Sequence, residues 1–260
     1  GFPLHAHAWV HEVVNGDELP PVVIINPATS VQSRYYSRFA EFLYTHGFNV
    51  ITYDYRGIGG SRPENMRGFQ ANWLDWGSKD FEGVLKFAST CFKGHDILVA
   101  AHSVGGFLVG MAPSNQVIKR VFTMGSQFAY WRDYAKHKRF AMYLRWHIVM
   151  PTLTAIFGYF PGKRLGWLED TPSGVVRDWI SPEPRFEDIY KSGPQTLSDE
   201  ERAKLVESFA QVTAPTLAVS MSDDEFGTIP AIHRLLSYFK SSPSTHMRIK
   251  PDAVGQPSIG

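Results

Sequence analysis

Polar and apolar residues alternate over residues 5–13, the period of an antiparallel strand near a sheet edge. Asn15-Gly16-Asp17 then makes a turn. Residues 22–25 form a continuous apolar run instead, as a strand buried on both faces reads, ending at Asn26-Pro27. Tyr35, Phe39, Phe42 and Leu43 are spaced for one face of a helix over residues 35–46, with Gly47 as its stop. The next strand is residues 49–53. A helix follows over residues 80–92, through Phe81, Val84, Leu85 and Ala88, and then a strand over residues 96–101. Strand and helix alternating in this order predict an α/β fold with a mostly parallel central sheet, flanking helices and right-handed crossovers.

After a strand at residues 121–124 the pattern changes. The stretch from Gln127 to about Ile189 is rich in Trp, Tyr, Phe and Pro, with short helical periods and no convincing central strand. It reads as an inserted helical cap. The chain then divides into a first part of the core at residues 1–126, the cap at 127–195, and a second part of the core at 196–260. Ser198 and Glu201 have capping-box spacing and open a helix that runs through Phe209. Residues 215–221 resume the buried-strand pattern, residues 232–239 are helical, and residues 245–250 make a last strand.

Composition narrows the class further. The 260 residues are 43% hydrophobic and 20% charged, which suits a soluble globular protein. A formal charge of +1 with scattered Lys and Arg leaves no footprint for nucleic acid, and the basic run at residues 136–139 reads as a solvated helix face. Cys91 stands alone, which rules out an internal disulfide framework, places the thiol in core packing and suits a reducing cytoplasm. The long apolar stretch at residues 140–160 is interrupted by Arg145, His147 and Pro151, so no integral membrane segment is expected. No signal peptide opens the chain, and since it lacks an initiator Met, an upstream segment could have been removed. Metal-ligand spacing and a dinucleotide fingerprint are both missing, and Gly57, Gly59 and Gly60 precede no phosphate-binding lysine, so the implied chemistry uses no cofactor. Nothing in the pattern sets an oligomeric state.

The strongest local signal is Ile97-Leu98-Val99-Ala100-Ala101-His102-Ser103-Val104-Gly105-Gly106-Phe107: a strand, a tight turn of small residues holding a serine, then an apolar helix. This is the form of a nucleophile elbow. Ala101 and Gly105 let the two backbones approach while Ser103 sits at the tip, above a helix N-terminus that favours negative charge. A plain helix N-cap is the competing role for Ser103. His102 should point elsewhere and pack.

These residues resemble the α/β-hydrolase superfamily. The loop Asp54-Tyr55-Arg56-Gly57-Ile58-Gly59-Gly60-Ser61 is similar to the Asp-x-Arg-Gly-x-Gly-x-Ser loop of its serine aminopeptidase and monoacylglycerol-lipase branch, with Asp54 and Arg56 organising the loop. Asn26-Pro27-Ala28 takes the place of the oxyanion-hole loop. The resemblance implies that the N–H groups of Val104 and Ala28 bind the oxyanion, Pro27 having none to offer, with Thr29 as substitute or supplement. It further implies a chain order of Ser, acid, His. The acid is Asp224 at the end of the strand at residues 215–221, with Asp223 as the alternative and a solvated acidic turn as the non-catalytic role. The base should follow the last strand, but His233 and His246 fall elsewhere, and the remaining histidines fit surface or packing positions. Residues 251–260 resemble the approach to that histidine, which is expected just beyond Gly260. Gly1-Phe2-Pro3-Leu4 resembles the tail of an early hairpin, so the chain reads as trimmed at both ends, with a natural truncation or pseudoenzyme as the alternative.

The functional expectation is a serine hydrolase that cleaves a small or medium acyl ester through an acyl-enzyme on Ser103. A serine aminopeptidase-like peptidase is an alternative that needs an acidic pocket for a substrate amine. A non-catalytic binding protein on a hydrolase scaffold is another. The aromatic residues of the insertion, among them Tyr134, Phe140, Tyr143, Trp146, Phe160, Trp167 and Trp179, can line an acyl pocket or form the cap's own core.

Overall fold

The computed structural model describes residues 1–14, 18–256 and 258. The expected turn at Asn15-Gly16-Asp17 and the closing Ile259-Gly260 lie outside the described residues. The strands are β1 (Ala6–Trp9), β2 (Val22–Asn26), β3 (Asn49–Tyr53), β4 (Ile97–His102), β5 (Ile118–Met124), β6 (Tyr159–Phe160), β7 (Thr171–Pro172), β8 (Thr216–Met221) and β9 (Ser244–Ile249). The helices are α1 (Ser37–Thr45), α2 (Trp73–Asp75), α3 (Glu82–Cys91), α4 (Val104–Met111), α5 (Arg139–Leu144), α6 (Met150–Phe157), α7 (Gly162–Leu165), α8 (Ser173–Trp179), α9 (Asp199–Ala210) and α10 (Ile229–Leu236).

Seven strands form one sheet in the order β1-β3-β2-β4-β5-β8-β9. Only β1 runs antiparallel, Ala6 opposite Tyr53, so the alternating segment becomes the edge strand its pattern predicts. β2, β3, β4, β5, β8 and β9 pair in parallel. Every residue of β2 and β3 is buried, which is why residues 22–25 read as an unbroken apolar run. Val22 and Ile24 pack into the larger core on one side of the sheet, and Val23 and Ile25 into a smaller one under α1 on the other. This is the α/β-hydrolase architecture.

Three local readings need correction. The face of α1 that meets the sheet carries Tyr36, Ala40, Leu43 and Tyr44, while Tyr35 is 73% and Phe42 55% exposed. The two sets have the same helical spacing one residue apart, and the small Ala40 lets the helix approach the sheet closely. The helix expected from Asp80 begins instead at Trp73, runs through a π-helical stretch Trp76–Phe81 and continues as α3. Asn72 starts it, its side chain accepting from the Asp75 N–H while the Asp75 carboxylate accepts from the Asn72 N–H. Cys91 is exposed rather than part of the core, because it closes α3 on the solvent side. The Ser198 and Glu201 capping box forms as expected and opens α9.

Residues 127–195 hold α5 to α8 and the antiparallel β6-β7 ribbon. Phe128 and Phe186, near its two ends, are buried beside Phe107 of α4 and Phe209 of α9, with the Phe186 and Phe209 ring centroids 4.5 Å apart. Asp178 of α8 accepts the N–H of Trp73 at 2.9 Å and the hydroxyl of Tyr190 at 3.1 Å. Arg62 pairs with Asp170 at 2.8 Å, and the Glu169 N–H donates to the Ser30 carbonyl. These contacts hold the segment over the C-terminal ends of β2, β4 and β8. Among the described residues no helix is long and apolar enough to cross a membrane.

Candidate active site

The strand order reverses direction between β2 and β4, because β2 leads outward to β3 on one side and β4 leads to β5 on the other. In open parallel sheets the backbone beyond such a pair of strands splays apart and leaves a crevice. Ala28 follows β2 and Ser103 follows β4, so both enter this crevice. Asn26 is level with Ala101 across the strands, and the Ser103 N–H donates to the Met124 carbonyl at 2.9 Å, which seats the turn on the end of β5.

Ser103 has φ +50° and ψ −122°. A serine that merely caps a helix has extended backbone and spends its hydroxyl on an N–H of the first turn. Ser103 does neither, for its side chain makes no capping bond. Among the described residues, the other non-glycine positions with positive φ are Ser30 at +60° and Ala129 at +67°. Their neighbours Thr29, Val31 and Gln127 line the same cavity as Ser103. Backbone strain thus gathers where the crevice opens.

Glycine makes the turn possible. A Cβ on Gly105 would stand 2.4 Å from the Asn26 carbonyl oxygen, a backbone atom that cannot move aside. Asn26 then locks the contact: its amide donates to the Gly105 carbonyl at 3.1 Å and it accepts the Tyr53 hydroxyl at 2.9 Å. The end of β2 and the turn at Ser103 are held together by one buried asparagine.

Val104 is the first residue of α4, so its N–H has no acceptor within the helix. Ala28 differs. Its N–H donates to the Tyr36 hydroxyl at 2.9 Å, and that hydroxyl lies 2.9 Å from Nδ1 of His102. The Tyr36 oxygen accepts from Ala28, and the direction of its bond to His102 Nδ1 follows the tautomer of the ring. Burial pushes the His102 pKa below its ordinary value, against an opposing pull from Asp224, which favours the neutral ring. His102 therefore packs against Tyr36. Tyr36 went unnoticed in the sequence, because it sits one residue off the helical face that the spacing singled out. Thr29, the other candidate donor, is buried and lines the cavity.

Asp224 lies past the end of β8 and borders the cavity with Ser103. Its Oδ1 accepts the Phe226 N–H at 2.8 Å, and a Cβ on Gly227 would fall 2.4 Å from its Oδ2. Asp223 instead accepts the Ser258 hydroxyl at 2.7 Å and does not border that cavity. Arg248, on β9, was not singled out from the sequence. Its guanidinium donates to the Ser220 hydroxyl and to the Gly227 and Ser222 carbonyls, each at 3.1 Å, bracketing the loop that carries Asp224. Asp54 organises its own loop, accepting the N–H groups of Ser33 at 2.6 Å and Gly60 at 2.8 Å. Arg56 pairs with Asp80 at 2.6 Å.

Among the described residues no histidine hydrogen-bonds to Ser103 Oγ or to the Asp224 carboxylate. His246 bonds to Ser220 at 2.9 Å and to His233 at 3.1 Å, and its register opposite Ala218 places it midway along β8. His137 and Lys138 of the basic run lie at 3.2 and 3.3 Å from Glu225.

The cavity measures about 500 Å³. Ser103, Thr29 and Asp224 belong to its floor, and Tyr134, Trp146, Phe160, Trp167 and Trp179 come from the 127–195 segment. Phe140 and Tyr143 of that segment are 75% and 42% exposed instead. No group of three or more metal-ligating side chains occurs among the described residues.

The sequence profile of the family described as serine aminopeptidase, S33, matches residues 19–242. No curated protein matches this chain. Among solved structures, the monoacylglycerol lipase of Paleococcus ferrophilus is similar with a TM-score of 0.53 and 16% identity, over 95% of this chain and 89% of that one. Est1E of Butyrivibrio proteoclasticus, solved with ferulic acid, gives 0.52 and 17%, over 94% and 86%. A puromycin-hydrolyzing peptidase of Mycobacterium tuberculosis gives 0.58 and 16%, over 95% of this chain and 33% of that one. At these identities the likeness establishes the fold. With its profile match spanning both halves of the sheet, the chain belongs to the serine aminopeptidase S33 family and is an α/β hydrolase.

Proposed function

We propose that this protein cleaves small or medium acyl esters through an acyl-enzyme on Ser103. The backbone of Ser103, at φ +50° and ψ −122° on the floor of an aromatic cavity, is the observation that carries the reading. Ser103 Oγ attacks the ester carbonyl, the alcohol departs with a proton, and water then releases the acid. Val104 N–H and the N–H of Ala28 hold the oxyanion, with Thr29 as the donor available if Tyr36 keeps Ala28. Residues 127–195 act as the cap that keeps water from the acyl group.

Asp224 is the acid, favoured over Asp223 by its place on the cavity wall. It orients a histidine supplied by the segment after β9, in line with the expectation of one just beyond Gly260. Two observations support this. Ser258 already reaches Asp223 at 2.7 Å, bringing that segment to the acid loop. Asp224 also borders a second hollow of about 630 Å³, beside Tyr35 and Met221, with room for an imidazole.

An aminopeptidase would need a carboxylate to hold the substrate ammonium. Asp224 is the only carboxylate among the residues lining the cavity, and the cap adds the cation Arg145, which favours the ester reading. The exposed, unpaired Cys91 supports a cytoplasmic setting.

The test is labelling by a fluorophosphonate, with Ser103→Ala as control, beside hydrolysis of p-nitrophenyl acyl esters of graded length and of aminoacyl p-nitroanilides. Serine-dependent labelling with ester turnover supports the proposal. Anilide turnover exceeding ester turnover would favour the peptidase. No labelling in a folded protein carrying the residues after Gly260 would leave a binding protein on a hydrolase scaffold.

A further inference from the structure

Among the groups lining the cavity over Ser103, the guanidinium of the exposed Arg145 and the indole N–H of the buried Trp146 donate no hydrogen bond to the described residues. Arg145, at the start of the π-helical stretch Arg145–Val149, has its guanidinium carbon 4.8 Å from the Trp167 ring centroid and 5.8 Å from that of Trp146. Among the described residues no carboxylate or carbonyl lies within hydrogen-bonding distance of that guanidinium. The indole N–H of Trp146 is likewise without an acceptor, although Trp146 is only 4% exposed. A buried N–H left unpaired is costly, and natural proteins rarely tolerate one unless a ligand completes it.

Both groups donate and neither accepts, so their common partner must bring acceptor oxygens. A guanidinium close to two indole rings, with its N–H groups not bonded to the protein, suits a planar two-oxygen anion. The remaining cap walls are mostly aromatic and aliphatic, with Phe160, Trp179, Met150 and Leu168, and suit a chain of methylenes between that anion and the reacting carbonyl.

Resting on the ester-hydrolase reading above, we propose that the substrate carries a free carboxylate at the end remote from the ester, as a monoester of a dicarboxylic acid does. Arg145 and Trp146 form the carboxylate subsite. This selects against neutral esters of equal length, and against substrates with a terminal ammonium, which Arg145 repels.

Tryptophan fluorescence reads binding directly, because Trp146, Trp167 and Trp179 all line the cavity. The Ser103→Ala variant, which cannot turn over, is titrated with monomethyl adipate and with dimethyl adipate, and the succinate and suberate pairs bracket the chain length. The monoester should bind at least about tenfold more tightly than the diester, as a charge-assisted bond predicts. Adding Arg145→Gln should reduce that ratio about tenfold, Arg145→Lys should reduce it less, and Trp146→Phe should reduce it with the charge intact. Equal affinity for monoester and diester at every length, or a ratio unmoved by Arg145→Gln in a variant with native circular dichroism, overturns the proposal. Fluorophosphonate labelling of Ser103 is scored separately. Failure of labelling with carboxylate selectivity intact would reject the hydrolase and keep the subsite.

Discussion

The hydroxyl of Tyr36 occupies the backbone N–H of Ala28, at 2.9 Å, in the loop proposed to offer oxyanion donors. It also links that loop to His102, the residue before Ser103. On the proposed reading, a second donor beside the Val104 N–H comes either from Ala28 with this hydroxyl displaced or from the neighbouring N–H of Thr29.

Tyr36→Phe separates these cases. The variant leaves Ala28 N–H and His102 Nδ1 without partners, so urea unfolding should show a loss of about 1–3 kcal/mol. Fluorophosphonate labelling should be as fast or faster, because a competing acceptor is gone. A tenfold or greater fall in labelling would instead make the hydroxyl itself a donor to the oxyanion.

Ser103→Gly should raise stability, which is unusual for loss of a nucleophile. A side chain at φ +50° and ψ −122° costs about 1–3 kcal/mol, and glycine removes that cost while adding some unfolded-state entropy. The net gain should be about 1 kcal/mol in urea unfolding, whereas Ser103→Ala, which keeps its Cβ, should gain little. Both abolish labelling.

Arg248→Met removes the donors that bracket residues 222–227. Amide exchange should speed up in that loop and remain unchanged in β2 and β4. Labelling of Ser103 should slow by about tenfold, the scale on which a misplaced acid impairs a base it orients. Unchanged exchange in the loop would show that Arg248 does not hold it.

Asp178 gives the fold a pH dependence of definite sign. Burial raises its pKa to about 7, against hydrogen bonds from Trp73 and Tyr190 that lower it. The folded state therefore holds a proton that the unfolded chain releases near pH 4. The stability due to this proton is complete below pH 4, declines as pH rises, and is lost above 7, with a span of at most about 4 kcal/mol. Asp178→Asn keeps an acceptor for Trp73 and should flatten this decline in urea midpoints taken from pH 5 to 8.

Much of this could be read along the chain because it depends on neighbours in sequence. A continuous apolar run identified β2, since a strand buried on both faces shows few polar positions, and residues 215–221 resumed that pattern in β8. The elbow was legible because its small residues, serine and glycines are adjacent, and the capping box of α9 because its partners lie three residues apart. Asp224 could be located from the end of β8 and the family resemblance.

Contacts distant in sequence were a different matter. Helical spacing allowed two phases for α1, and only the sheet beneath it chose the one that buries Tyr36 and Ala40. That choice placed a phenol on Ala28 that no local pattern announces. Arg248 meets the acid loop across 21–28 residues, and Arg145 meets Trp167 across the cap. Composition made the 127–195 segment aromatic, but not which rings face the cavity and which face water. Local spacing sets which residues share a face; what that face meets depends on packing, and packing alone decided which donors and acceptors surround Ser103.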